Sequence, residues 1–308
     1  MMKRLLITGV SGLLGVNLAF RAADRYRVIG VSHLRQLSGA PFETIAKDLT
    51  DAGTMDDIFD LYRPDIVIHC AALANIDEAE RDPQRAWQVN AELPGILATK
   101  ACRHGVRLVH ISTDAVFDGV RGDYRETDTP NPISAYAKSK LGGEQAVASI
   151  YPQAAIARVN FYGWSLDGRR SLAEFFFNHL SAGQSVKGFI DVFFCPLYVK
   201  HLADILLEMA EKELKGIYHT VSRESLSKYE FGRMIAGQFN FNNDLVQPVR
   251  VAEGGLVAAR SPNLTLRVEK LEHALGKILP GIEMGLKVFH QQYVEKYPQL
   301  LRSYWLTG

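Results

Sequence analysis

At 308 residues the chain is long enough for one large or two modest domains with an ample core. Its 35 lysines and arginines against 34 aspartates and glutamates leave a formal charge of +1. That balance excludes charge-driven binding to nucleic acid or to an anionic membrane and points to a small-molecule partner. Three scattered cysteines, Cys70, Cys102 and Cys195, form no Cys-x-x-Cys pair, and Cys102 with His104 does not close a metal site. Neither a disulfide framework nor a bound metal is expected, and all three are read as buried thiols of a reducing cytoplasm.

Residues 3–8 read as a short buried strand. Lys3-Arg4 before Leu5-Leu6-Ile7 imitates the start of a secretory leader, but Thr8-Gly9 and Ser11-Gly12 break the apolar run at once. No later run approaches the ~18 apolar residues of a membrane span. The segment Gly9-Val-Ser11-Gly12-Leu13-Leu14-Gly15 separates the strand from an amphipathic run over 16–23. In such a turn the first glycine permits the bend, the second lets backbone amides approach a pyrophosphate, and the third lets helix pack on strand. Gly9, Ser11, Gly12, Leu13, Leu14 and Gly15 are therefore candidate dinucleotide contacts, although the spacing is Gly-x-x-Gly-x-x-Gly rather than Gly-x-Gly-x-x-Gly.

A second strand over 27–31 ends in Ser32-His33-Leu34-Arg35. NAD would call for a carboxylate there. Its absence, with a cation nearby, favours the 2′-phosphate of NADP and places Ser32 and Arg35 at the adenosine ribose. A weak third strand over 43–46 leads to Asp48-Leu49, where Asp48 either accepts from an adenine amino group or caps the helix beginning near Thr54. Ile66, Val67 and Ile68 form a buried fourth strand, after which Cys70, Ala71, Ala72 and Leu73 leave room for a ligand at its carboxyl end. His69 is assigned no chemistry. One long helical pattern runs over 83–103 and carries Asn90, a further candidate on the cofactor side.

The fifth strand, 107–111, delivers Thr113 and Asp114 to the crevice, a good place for a hydroxyl that must touch a substrate carbonyl. Ser134 is placed to cap the next helix, which puts Tyr136 and Lys140 one turn apart on one face. A tyrosine loses its proton near pH 10, so acid–base work near neutrality asks for a shift of about three units, or roughly 4 kcal/mol. A lysine ammonium one turn away is expected to supply part of it. A sixth strand over 154–159, helices over 171–182 and 202–211, a strand over 216–221 that rejoins the sheet, and a final helix over 284–297 complete the pattern.

The ordered motifs are Thr8-Gly-x-x-Gly-x-x-Gly15, Asp48-Leu49-Thr50-Asp51, the stretch from His69 to Glu80, Val89-Asn90, Ser112-Thr-Asp-Ala-Val-Phe-Asp-Gly119 and Tyr136-Ala-Lys-Ser-Lys140-Leu-Gly-Gly-Glu144. Together they resemble an extended short-chain dehydrogenase/reductase, and within that superfamily the dTDP-4-dehydrorhamnose reductase group. The resemblance implies an α/β, Rossmann-type doubly wound parallel sheet with a smaller, discontinuous carboxyl-terminal substrate lobe. The NAD(P)-binding domain would span 1–160 and the lobe 161–308, with about 199–221 returning to pack on the sheet. It further implies NADPH as cofactor, with NADH left open, and a nucleotide-sugar substrate reduced at a 4-keto group. Thr113 would then hydrogen-bond the keto oxygen and Tyr136 would protonate it, while Lys140 would hold the nicotinamide ribose and depress the phenol's pKa. Asp114, Phe161 and Arg260 would face the sugar nucleotide.

The chain departs from that group on the substrate side. Ala115 stands where a tyrosine is usual, Phe161 lies near a usual tryptophan, and Arg260-Ser-Pro replaces Arg-Pro. Two further readings follow. One is a sugar-nucleotide epimerase or dehydratase that holds NAD tightly; the other is a non-catalytic NADP-binding subunit resembling the methionine adenosyltransferase regulatory β subunit. A homodimer is left open.

Overall fold

The computed structural model describes residues 2–34, 36–253 and 261–304. Its first half alternates strand and helix: β1 Arg4–Thr8, α1 Leu13–Ala22, β2 Arg27–Ser32, β3 Glu43–Ala46, α2 Thr54–Tyr62 and β4 Ile66–His69. The short helices α3 Ile76–Arg81 and α4 Pro83–Trp87 follow, then α5 Leu93–His104, β5 Arg107–Thr113, α6 Ala135–Ile150 and β6 Ala155–Val159. The strands read as near-continuous apolar runs because both faces of their sheet are covered. Leu5, Ile7, Ile66 and Ile68 join one buried cluster with Val16, Leu18 and Ala19 of α1. Leu6 and Val67 join a second with Met55, Ile58 and Phe59 of α2 and with Leu93 and Leu97 of α5.

The second half begins with β7 Phe161–Tyr162, α7 Leu172–Ser181, β8 Val186–Phe189, β9 Phe193–Phe194, β10 Leu197–Tyr198, α8 Val199–Glu211 and β11 Gly216–Thr220. It ends with β12 Leu226–Ser227, α9 Lys228–Gln238, β13 Val246–Val249, β14 Asn263–Leu264, α10 Glu269–Leu275, α11 Ile282–Val294 and α12 Tyr297–Ser303. The chain returns to the main sheet once: α8 lies against α1, and β11 pairs in parallel with β6, Gly216 opposite Ala155. The resulting seven-stranded sheet has the order β11-β6-β5-β4-β1-β2-β3, with every described neighbouring pair parallel. This is the expected doubly wound fold. The rest forms a lobe whose core is aromatic, with Trp164 stacked on Phe289 at 4.0 Å between ring centroids. No helix among the described residues is long and apolar enough to cross a membrane.

Three expectations are corrected. The pattern over 83–103 is not one helix, because a π turn over Gln88–Glu92 separates α4 from α5. Pro94 has no amide to give the Asn90 carbonyl four residues back, so the regular ladder cannot run through this point. Asp48 does not cap α2, whose N-cap is Gly53 at φ +83° with no side-chain bond. The Asp48 Oδ1 atom instead accepts from the Thr50 amide at 2.8 Å and the Thr50 hydroxyl at 2.7 Å. Cys102, expected to be buried, is exposed on α5, while Cys70 is half-buried and Cys195 buried.

Candidate active site

The carboxyl ends of β1, β2 and β4 surround a cavity of about 380 Å³ lined by Gly9, Ser11, Gly12, Ser32, Asp48, Leu49, Ala71, Ala72 and Leu73, all expected cofactor contacts. Gly9 has φ +68°, and a Cβ there would sit 2.7 Å from the Ala71 backbone. The turn thus presses directly on the end of β4 and leaves space in front of it. Gly12 caps α1 with no side-chain hydrogen bond, so the first amides of the helix have no side-chain partner and suit a pyrophosphate. These observations fit a dinucleotide.

Leu13, Leu14 and Gly15 are not in the cavity wall. Leu14 is buried in the core, and a Cβ on Gly15 would collide with the Gly9 carbonyl. Asn90 is fully buried and acts through others. It accepts from the Leu73 amide at 2.9 Å and donates to the Leu73 carbonyl and to Ser139 of α6, both at 3.0 Å. It therefore ties the cavity wall to the helix that carries Tyr136. Arg35 lies outside the described residues, as does Arg260.

Burial pushes the Asp48 carboxyl up, but hydrogen bonds from Thr50 and His33 outweigh it and hold the group at about 2. With His33 Nε2 at 3.1 Å and Arg85 at 3.5 Å on its other oxygen, Asp48 is an occupied anion that fixes two basic side chains in the cavity wall. Sequence reading did not single out Lys47, Arg85 or Arg170 as wall residues; Arg170 comes from the far lobe. His69, assigned no chemistry, has Thr8 Oγ1 2.7 Å from its Nδ1 and no hydrogen-bond partner at its buried Nε2, and burial pushes its pKa down to about 3.

A second cavity of about 280 Å³ holds Thr113, Asp114 and Tyr136, and Ala74 is in the wall of both cavities. Thr113 is the last residue of β5 and Tyr136 the second of α6. Ser134 caps α6 as expected, accepting from the Ala137 amide at 3.2 Å. The wall also contains Asn160, Lys228 and Phe193. Phe161 is not part of it and packs instead against the core. Alternation along the chain is the signal that separates Asn160 from Phe161, since neighbouring extended residues face opposite ways.

Lys140 is buried, and its Nζ donates to the Ile111 carbonyl at 2.6 Å. Burial pushes its pKa down to about 8, opposed by the Glu144 carboxylate one turn on. Glu144 is itself locked beneath α6 by Arg158, at 2.9 and 2.8 Å, and by the Ser112 hydroxyl at 2.6 Å. Burial pushes the Tyr136 phenol up to about 12, with the Thr113 hydrogen bond pulling it down and the Asp114 charge adding to the rise. The expected depression of the phenol by Lys140 is therefore not found. The ammonium is directed to Ile111, and Tyr136 stands as a protonated donor at neutral pH.

A glycine cradle at the head of a parallel sheet, with a threonine at the end of β5 and a tyrosine in the first turn of α6, defines a Rossmann-type oxidoreductase of the short-chain dehydrogenase/reductase kind. More narrowly, the chain belongs to the RmlD substrate binding domain family, whose match covers residues 2–295. It is similar to the probable low-salt glycan biosynthesis reductase Agl14 of Haloferax volcanii, 32% identical over 91% of this chain and 95% of that protein. It is also similar to the methionine adenosyltransferase 2 subunit beta of Bos taurus, 32% identical over 92% and 86%. Among solved structures, the dTDP-4-dehydrorhamnose reductase of Bacillus anthracis in complex with NADP superimposes with a TM-score of 0.84 at 28% identity. It covers 96% of this chain and 100% of that one.

Proposed function

We propose that the protein is an NADPH-dependent reductase of the 4-keto group of a nucleotide-linked 4-keto-6-deoxysugar. The observation that carries this reading is that the glycine-turn cavity and the cavity lined by Thr113 and Tyr136 share Ala74 in their walls. The likeness to Agl14 and to the NADP complex of the Bacillus anthracis reductase supports the reaction class and the cofactor.

NADPH, when bound, supplies the hydride. Gly9, Ser11, Gly12 and the start of α1 would hold the pyrophosphate, and Lys140 would hold the nicotinamide ribose with the Nζ hydrogens not given to Ile111. Negative charge builds on the ketone oxygen as the reaction proceeds. Thr113 donates a hydrogen bond to that oxygen and Tyr136 gives it a proton. Because the phenol is protonated well above neutrality, it is ready to donate without prior proton uptake.

The test is loss of nicotinamide absorbance with dTDP-4-dehydrorhamnose, set beside a panel of other keto-sugar nucleotides and NADH. Tyr136→Phe is expected to cut turnover by about 10²–10⁴ while NADPH affinity is kept. A second reading, a regulatory subunit that binds NADP without turnover, is favoured by the likeness to the bovine methionine adenosyltransferase subunit. It predicts a stable complex with a second chain and no reduction of any keto-sugar in the panel.

A further inference from the structure

The hydrogens around Thr113 do not suffice for the work expected of it. Its hydroxyl carries one hydrogen and meets three groups: the Ala115 amide, which donates to it at 3.2 Å, Asp114 Oδ1 at 3.1 Å, and the Tyr136 phenol. An ionised carboxylate only accepts. With Asp114 charged, Thr113 gives its hydrogen to Oδ1 and is left to accept from Tyr136. Both hydroxyls then point along the chain toward Asp114 and away from a ketone in the cavity.

Asp114 is buried at 4% exposure, and its Oδ2 accepts from Asn160 Nδ2 at 2.6 Å. A proton on this carboxyl therefore belongs on Oδ1, the oxygen beside Thr113. We propose that Asp114 is a positioning residue that works as the neutral acid: Oδ1–H donates to Thr113, which turns the Thr113 hydrogen toward the ketone and frees the phenol to do the same. The proposal rests on the reductase reading above. Asp114 keeps its proton throughout, and the proton that reaches the alkoxide is that of Tyr136.

The surroundings shift the balance toward the neutral form, which prevails below about pH 6. Burial pushes the carboxyl up to about 6, against the pull of the bonds from Asn160 and Thr113 and of the Lys228 charge. The groups that face it are Thr113 and Ala115 beside it, Tyr136 on α6, Asn160 after β6, Lys228 at the start of α9, and the Cys195 thiol. Tyr136 and Cys195, each pushed up to about 12, stay neutral while Asp114 titrates.

The experiment compares single-turnover reduction by wild type, Asp114→Asn and Asp114→Ala between pH 5.5 and 7.5, with NADPH binding as the control for folding. The amide of Asp114→Asn can donate to Thr113 and accept from Asn160 at every pH. Wild type is expected to speed up about tenfold or more as pH falls across this window, in kcat rather than KM. Asp114→Asn is expected to be flat and as fast as wild type at pH 5.5, and Asp114→Ala slow throughout. A wild-type slope retained in Asp114→Asn would overturn the proposal, as would an Asp114→Asn rate as low as that of Asp114→Ala. Should wild type reduce no keto-sugar, the reductase reading fails on its own, and carboxyl titration by 13C NMR of the NADPH complex still decides the protonation. A midpoint near 6 that vanishes in Asp114→Asn is expected, and a midpoint near the ordinary aspartate value of about 4 would overturn the proposal.

Discussion

Lys140 is costly where it stands. Its folded pKa of about 8 lies below the 10.5 of the free side chain, so the unfolded chain binds the extra proton between those values. The cost is present in full below pH 8 and is relieved as pH rises toward 10.5, because stability increases with pH wherever the unfolded state holds more protons. The shift corresponds to roughly 3 kcal/mol. Lys140→Met is expected to raise stability at pH 7 by a kcal/mol or more, with the gain vanishing above pH 10.5, while reduction is lost. Urea titrations at pH 7 and pH 10.5 check this, and equal stability of variant and wild type at pH 7 would show that the Ile111 bond offsets the burial. In wild type, reduction is expected to decline above about pH 8 as the ammonium is lost. The spacing of Tyr136 and Lys140 was readable in the sequence, but the direction in which the ammonium points was not. That direction depends on a backbone carbonyl 29 residues earlier in the chain.

At the level of elements, α6 is held in place by its fit against the π turn. A Cβ on Gly143 would collide with the Asn90 carbonyl, the group that Pro94 leaves without its regular helical partner. Gly143→Ala is expected to cost about 1–3 kcal/mol through overpacking and to lower turnover, since the helix it displaces carries Tyr136 and Lys140. Gly237→Ala in α9, where a Cβ meets nothing within 4 Å, serves as the contrast and is expected to gain about 0.5–1 kcal/mol. Thermal melts of the two variants separate packing from propensity; destabilisation by both would refute the role given to the close approach at Asn90. The apolar periodicity over 83–103 hid the π turn because the face stays buried through it, and Pro94 was the only local sign. The glycine turn, by contrast, was readable because its work is local: each glycine answers to a neighbour within the strand–turn–helix unit or to the adjacent strand.

Over the whole molecule, the first half could be read in order from strand ends and turns, whereas the substrate-side wall could not. Asn160, Phe193 and Lys228 reach one cavity from separate elements of the chain, and no spacing rule connects them. The return of the chain through α8 to β11 is a different matter, since a strand pattern after a helix that packs on α1 can rejoin only at an open edge. That return has a consequence during synthesis. While the nascent chain ends near 160, β6 is the outermost strand, fully buried in the finished protein, with Arg158 as its one charged residue. A fragment covering 1–160 is expected to aggregate on expression, and one extended through 221, which supplies β11, to be markedly more soluble. The pairing of β6 with β11 thus makes the intervening sequence an obligatory detour in biogenesis: the half that carries the glycine turn cannot shield its own flank until the ribosome has traversed residues 161–215.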